Sequence, residues 1–244
     1  MFELGAKTSW YGSVPGRFNV AAYYNDFANQ QLQVGITCVD PTITLPDGSV
    51  DPSQTPLCQT TTIINAKSTE LYGIEADLMI EPFEGFKLEA AYSYNKTKIK
   101  QIDQPDLGPN FIQRELEEGG PVPLAVPHAF NATASWTLPF DESVGKITLS
   151  GTVVHRSSFR AVADATPGSN IGVLPKVTFG NANLSWKGIG GGPVDAVFYV
   201  TNITNEKMFT HVNDQSRQGL VSYSVDEQRQ YGIRVKYRFG GLAD

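Results

Sequence analysis

Residues 229–239 read RQYGIRVKYRF. Taken at every second position they separate into two series. Tyr231, Ile233, Val235, Tyr237 and Phe239 form one; Gly232, Arg234, Lys236 and Arg238 form the other. Such alternation marks a β-strand, because successive side chains point to opposite sides of a sheet. One side of this strand is aromatic and aliphatic throughout, and the other is a row of cations.

The same period recurs at residues 2–10, 17–34, 64–80, 86–100, 127–138, 146–160, 176–187 and 194–205, which with 229–239 makes nine strand-like segments and no convincing helix. In 64–80, Tyr72, Ile74, Ala76, Leu78 and Ile80 oppose Gly73, Glu75 and Asp77. In 86–100, Phe86, Leu88, Ala90, Tyr92 and Tyr94 oppose Lys87, Glu89, Ser93 and Asn95. Most segments reach ten residues or more. Strands of soluble proteins have about five or six residues, whereas a tilted membrane-crossing strand needs about nine to eleven.

The connections carry a second signal. YGSVPG (11–16), EPFEG (81–85), PFDESVG (139–145) and GIGGGP (188–193) are short, while 35–63, 101–126, 161–175 and 206–226 are long, in strict alternation. An antiparallel meander across a membrane has short turns at one end and long loops at the other. The expected fold is therefore all-β: an antiparallel transmembrane β-barrel segment of about nine long meander strands. Its aromatic and aliphatic face meets lipid, and its polar face lines a wet or plugged lumen. Trp10, Trp136, Trp186 and Tyr237 fall where interfacial girdles are expected.

Composition permits this. The chain has 244 residues, 41% hydrophobic and 18% charged, with net charge −6. No window approaches the roughly 18 apolar residues of a spanning helix. The balance is mildly acidic without runs of like charge, so nothing points to nucleic acid. Met1 precedes a strand-like stretch with neither basic nor apolar leader regions, so no signal peptide is expected in this chain. Cys38 and Cys58 lie in one Pro/Gly/Asp-rich stretch, a spacing that suits a loop-stapling disulfide and an oxidising compartment; two free thiols are the alternative.

Four stretches resemble a known family: ELGAKTSWYGSVPGRFNVAAYYNDFANQQLQV (3–34), AKSTELYGIEADLMIEPFEGFKLEAAYSYNKTKI (66–99), YVTNITNEKMF (199–209) and QRQYGIRVKYRF (228–239). In this order they resemble the C-terminal part of the barrel of TonB-dependent outer-membrane receptors. YGIEADL, the NITNEK turn and the closing YGIRVKYRF are the most specific. The resemblance implies a roughly 22-stranded barrel with a plugged lumen, of which residues 1–244 would supply the last nine strands, with the plug absent from this chain. It implies a bacterial outer-membrane location and active uptake of a scarce nutrient, foremost a ferric siderophore. The implied partners are outer-membrane lipid, the plug domain of the parent chain, the TonB complex through an N-terminal part and a metal-chelate ligand. Neither a cofactor nor an enzymatic activity is implied. Phe239 holds the place of the family's terminal aromatic, an assembly signal, although GGLAD follows it.

The sequence offers no catalytic constellation. His128, His155 and His211 have no motif partners, and no HExxH, P-loop or metal-spaced His/Cys set is present. GIGGGP reads as a tight turn with no helix after it. The candidate ligand contacts are Arg114, Arg156, Arg160, Arg217 and Arg229 toward the ends that carry the long loops, since the guanidinium suits carboxylates and anionic chelates. The alternative reading is that they balance nearby acids or meet anionic sugars. Arg234, Lys236 and Arg238 face the lumen, where the plug or Glu75, Asp77 and Glu89 would meet them. The alternatives are a small self-contained outer-membrane barrel (porin-like or adhesin), for which an even strand count and a signal peptide would speak, and a soluble β-sandwich binding module, for which shorter strands and unsorted loops would.

Overall fold

The computed structural model describes residues 1–51, 58–103, 108, 110–113, 118–162, 171–215, 219–226 and 228–239. Nine long strands pair consecutively and antiparallel. They are β1 (Phe2–Trp10), β2 (Gly16–Cys38), β3 (Cys58–Phe83), β4 (Phe86–Asp103), β6 (His128–Thr137), β7 (Lys146–Arg156), β10 (Val177–Lys187), β11 (Val194–Thr201) and β14 (Gln230–Tyr237). The connections at one end are short. Those at the other carry β5 (Phe111–Gln113), which pairs with the tip of β2, and two separate ribbons. One ribbon joins β8 (Phe159–Arg160) to β9 (Val173–Leu174), and the other joins β12 (Phe209–Gln215) to β13 (Leu220–Val225).

The register carries the alternation across the whole sheet. Leu78 lies beside Ala90, Ala90 beside Ala132 and Ala132 beside Val153; Trp186 lies beside Ala196 and Ala196 beside Val235. Apolar positions thus continue one another from β3 to β14 on a single face, and Tyr231, Ile233, Val235 and Tyr237 belong to it. Phe86 to Tyr94 on β4 is nine residues, eight rises or about 27 Å, close to the ~25 Å apolar band of a membrane barrel. Aromatic groups mark both limits. At the short-turn end Trp10 and Trp186 each donate their indole N–H to a turn carbonyl at 2.8 Å, Val14 and Val144 respectively. Phe83 stacks on Phe86 at 4.8 Å and meets Trp136 edge-on at 6.2 Å. At the other end Tyr92 is hydrogen-bonded to His128 at 2.8 Å, and the Tyr94 ring lies 5.0 Å from it.

Several boundaries differ from the sequence expectation. The first long connection is mostly strand, because β2 continues to Cys38 and β3 begins at Cys58. The reason is an exchange of faces. Asn29 is left-handed (φ 56°), and the β3–β4 register shifts between Ala66 and Thr69. Beyond this line Leu32, Val34, Ile64, Ala66 and Ile102 pack with Ile99, which shares the polar-face parity of Glu89 and Asn95, and Val122 covers the cluster. A period-two reading therefore loses phase where the strands in fact persist.

β7 stops at Arg156, so Arg160 is not at its end but in the β8–β9 ribbon. β11 stops at Thr201 because Asn202 adopts φ 49°. β14 stops at Tyr237, where its partner β11 begins at Val194; Phe239 lies beyond it, 89% exposed, its ring 4.6 Å from that of Tyr237. The GIGGGP turn contains one 3-10 turn, Ile189–Gly191, made possible by left-handed glycines.

Candidate functional site

The polar positions of β1 to β4, β6 and β7 converge on one hollow of about 880 Å³. Glu3 and Lys7 come from β1, Asn19 from β2, Glu75 and Asp77 from β3, Ser93 from β4, Asn131 from β6 and Arg156 from β7. They share one face because each strand contributes every second residue and the register holds across the sheet.

Hydrogen bonds and ion pairs join polar-face groups in and around the hollow. The Asn19 amide donates to both oxygens of Asp77 at 3.1 and 2.9 Å, and Arg17 Nε lies 3.7 Å from the same carboxylate. The Tyr23 hydroxyl donates to Asn95. Lys87 and Glu89 pair at 2.7 Å, and Thr133 meets Thr152 at 2.9 Å. Amides, hydroxyls, carboxylates and cations in mixed sign suit binding through hydrogen bonds. Among the described residues no group of three His, Cys, Asp or Glu could hold a metal.

The end bearing the long connections is a consolidated cap. Phe159, Leu174 and Val212 form a buried cluster, packed by Val126, Phe209 and Val221, so the second, third and fourth long connections share one core. Arg156 fixes the cap to the wall. Its guanidinium donates to the Phe209 carbonyl and lies 5.1 Å from the Phe159 ring. The NITNEK turn is tied as firmly. Asn202 is 7% exposed; its side-chain oxygen accepts the Glu206 N–H at 3.0 Å and its amide donates to the Glu206 carbonyl at 2.9 Å. The Asn202 N–H donates to Asn181 at 2.8 Å. Asn205, also left-handed at φ 55°, accepts the Arg229 N–H at 3.1 Å.

Beyond the cap, Cys38 and Cys58 are joined as a disulfide across β2 and β3, with Cα atoms 4.9 Å apart. Past it two Asx turns shape the connection. Asp40 accepts from the Thr42 hydroxyl and N–H, and Asp47 from those of Ser49, at 2.6–2.9 Å. These bonds favour the ionised carboxylates and hold both below the ordinary aspartate pKa.

The expected site residues are distributed as follows. Arg156, Glu75 and Asp77 line the hollow. Arg160 sits half-exposed in β8, and Arg229 is exposed beside Asn205 and the Ile203 carbonyl. Arg234, Lys236 and Arg238 follow the polar parity at the far side of the sheet, and Arg238 pairs with Asp195 at 3.1 Å rather than with Glu75, Asp77 or Glu89. Arg114 and Arg217 lie outside the described residues. Asn19, Ser93 and Asn131 were legible as polar-face positions. Their gathering with Arg156 was not, because it depends on the pairing of strands far apart in sequence.

The chain matches a family described as TonB dependent receptor-like, beta-barrel over residues 2–205. Among curated proteins, none matches the sequence. Among solved structures, the ferric yersiniabactin uptake receptor FyuA from Yersinia pestis is similar, with TM-score 0.66 and 13% identity over 98% of this chain and 30% of that one. The siderophore receptor PiuA from Acinetobacter baumannii is similar with TM-score 0.61 and 14% identity, over 96% of this chain and 27% of the receptor. The copper transporter OprC is similar with TM-score 0.57 and 11% identity, over 96% of this chain and 31% of the transporter. The chain thus spans less than a third of each.

Proposed function

The chain belongs to the TonB-dependent receptor-like β-barrel family, and from that premise we propose that it forms the C-terminal wall of an outer-membrane receptor that imports a ferric siderophore. The apolar face meets lipid. The polar face lines a lumen that the plug domain of the parent chain fills, and TonB supplies the energy through that parent. The observation that carries this reading is the sorting of the connections. Short turns gather at one end of the nine-strand meander, and a capped set of long connections gathers at the other, over the polar hollow. Such a wall binds and passes a ligand along its polar face, and the family is one of receptors, not enzymes. Arg156 stands where cap and hollow meet, and an anionic chelate entering the lumen would pass it. Arg160 and Arg229 stand on the cap side, and we place Arg114 and Arg217 in the same role.

Among the described residues β1 and β14 are the terminal strands of the sheet, and each pairs on one side only. Unpaired edges are not stable in lipid, which supports closure by further strands of a parent chain over a self-contained small barrel. The test is the size and location of the native gene product. Washed outer membranes are probed with an antibody to the loop between Cys38 and Cys58, and a parent deletion is grown on single iron sources. A heat-modifiable band several times larger than 26.6 kDa, with loss of growth on one ferric siderophore, is expected. A mature band near the chain's own mass, or no iron-dependent defect, would overturn the proposal.

A further inference from the structure

Lys96, Lys98 and Lys100 are exposed and alternate with Thr97 and Ile99, which are buried at 9% and 1% beneath the second long connection. That connection holds Ile99 through its backbone and donates the Val122 N–H to the Thr97 hydroxyl at 3.0 Å. The polar face of β4 is thereby covered here, and the three lysines point the other way. They continue the series Phe86, Leu88, Ala90, Tyr92 and Tyr94 directly past the aromatic limit of the apolar band. On the reading given under Proposed function, that series meets lipid, so the lysines stand at the level of the outer headgroups.

The charges on this face are not all free. Glu70 accepts from the Tyr24 hydroxyl at 2.7 Å and pairs with Lys100 at 3.4 Å, with Lys98 contributing more weakly to its field. Lys67 pairs with Asp103 at 3.5 Å, and Asp26 accepts from the Ser68 hydroxyl at 3.3 Å. Lys96 lies over the Tyr72 ring at 5.9 Å, and no carboxylate within ion-pair distance of Lys96 or Lys98 is found among the described residues. Side chains two apart on a strand stand about 6.6 Å from each other, a span that one phosphate bridges with an ammonium on either side.

We propose that Lys96 and Lys98, with the Tyr72 ring beneath Lys96 and Tyr94 next before it on the same face, form a binding site for a phosphate-bearing lipid headgroup of the outer leaflet. The lysines supply charge, the tyrosines supply an amphipathic shelf at the interface, and the acyl chains lie along the apolar face below. The site is on the opposite face from the hollow and takes no part in holding an imported ligand.

The test uses the intact parent receptor in detergent micelles, titrated with bisphosphorylated lipid A and followed by native mass spectrometry. The double variant Lys96→Gln/Lys98→Gln should weaken binding about thirty-fold, the effect of two lysines near an anionic surface. A control pair at the opposite rim, Lys146→Gln/Lys187→Gln, should leave it unchanged. Dephosphorylated lipid A should bind as poorly to the wild type as the phosphorylated lipid does to the double variant. Equal binding by wild type and double variant, no binding to wild type, or displacement by inorganic phosphate at matched concentration would each overturn the site. Retention of the heat-modifiable band by the double variant excludes misfolding as the cause. A receptor found in the outer membrane with lysine-independent lipid binding would sink this inference alone and leave the transport proposal standing.

Discussion

Gly73 occupies the most confined glycine position on the polar face, and Gly73→Ala is expected to be disproportionately costly. Gly73 lies between Tyr23 on β2 and Asn95 on β4 in the register, and the Tyr23 side chain lies across it to reach Asn95. A Cβ at Gly73 would stand 2.6 Å from Tyr23 Oη and closer still to the Tyr94 carbonyl oxygen. The tyrosine can swing away, at the loss of its hydrogen bond, which contributes about 1 kcal/mol. The carbonyl belongs to the β4 backbone and cannot move without disturbing the ladder, so overpacking adds about 1–3 kcal/mol. The expected destabilisation is about 2–4 kcal/mol.

Gly232 provides the internal control. It faces Tyr199 in the same manner, with Tyr199 Oη 2.6 Å and Cζ 2.8 Å from the added carbon, but its three nearest atoms all belong to that one side chain. Gly232→Ala should therefore cost about 1–2 kcal/mol, because the ring can rotate clear. Urea unfolding of each variant of the intact receptor in micelles, followed by tryptophan fluorescence and heat-modifiable mobility, measures both. A second cycle in a Tyr23→Ala background should recover only the tyrosine's share of the Gly73→Ala cost. An equal or greater cost at Gly232, or complete recovery in the Tyr23→Ala background, would refute the assignment of the larger penalty to the Tyr94 carbonyl.

Asn202→Ala should destabilise by about 2–4 kcal/mol, since it removes buried hydrogen bonds and places alanine at a left-handed position; calorimetry of the intact receptor checks this, and Asn202→Gly should recover part of the loss. The two Asx turns carry a pH dependence whose sign is fixed. The folded pKa values of Asp40 and Asp47 lie below the ordinary aspartate value, so the turns are fully stabilised above that ordinary value and weaken as pH falls through the lower folded values. Amide exchange at Thr42 and Ser49 should therefore gain protection between acid and pH 5, after correction for intrinsic rates, and stay level above it; protection that falls over that range would contradict the turns.

The apolar face of β14 was legible because strand periodicity is local. Each residue's side is decided by its neighbours two positions away, and Tyr231 to Tyr237 needed no knowledge of β11. The alternation of short and long connections was legible for the same reason. The tip of the β2–β3 hairpin was not, since Asn29 and the irregularity near Lys67 exchange the two faces, and Leu32 and Ile64 then read as out of phase. Arg160 was misplaced because the chain leaves β7 after Arg156, where its hydrogen bonds pass to a separate ribbon.

By itself, then, the sequence determined that this is a meander of long, two-faced strands, with sorted ends and a family likeness carried by YGIEADL, NITNEK and YGIRVKYRF. Only the tertiary structure decided which polar residues meet. Glu3, Asn19, Asp77, Asn131 and Arg156 share one hollow through register set over more than 150 positions of chain. Register is a property of pairs of strands, fixed by the joint fit of both faces and the turns, and no single strand contains it.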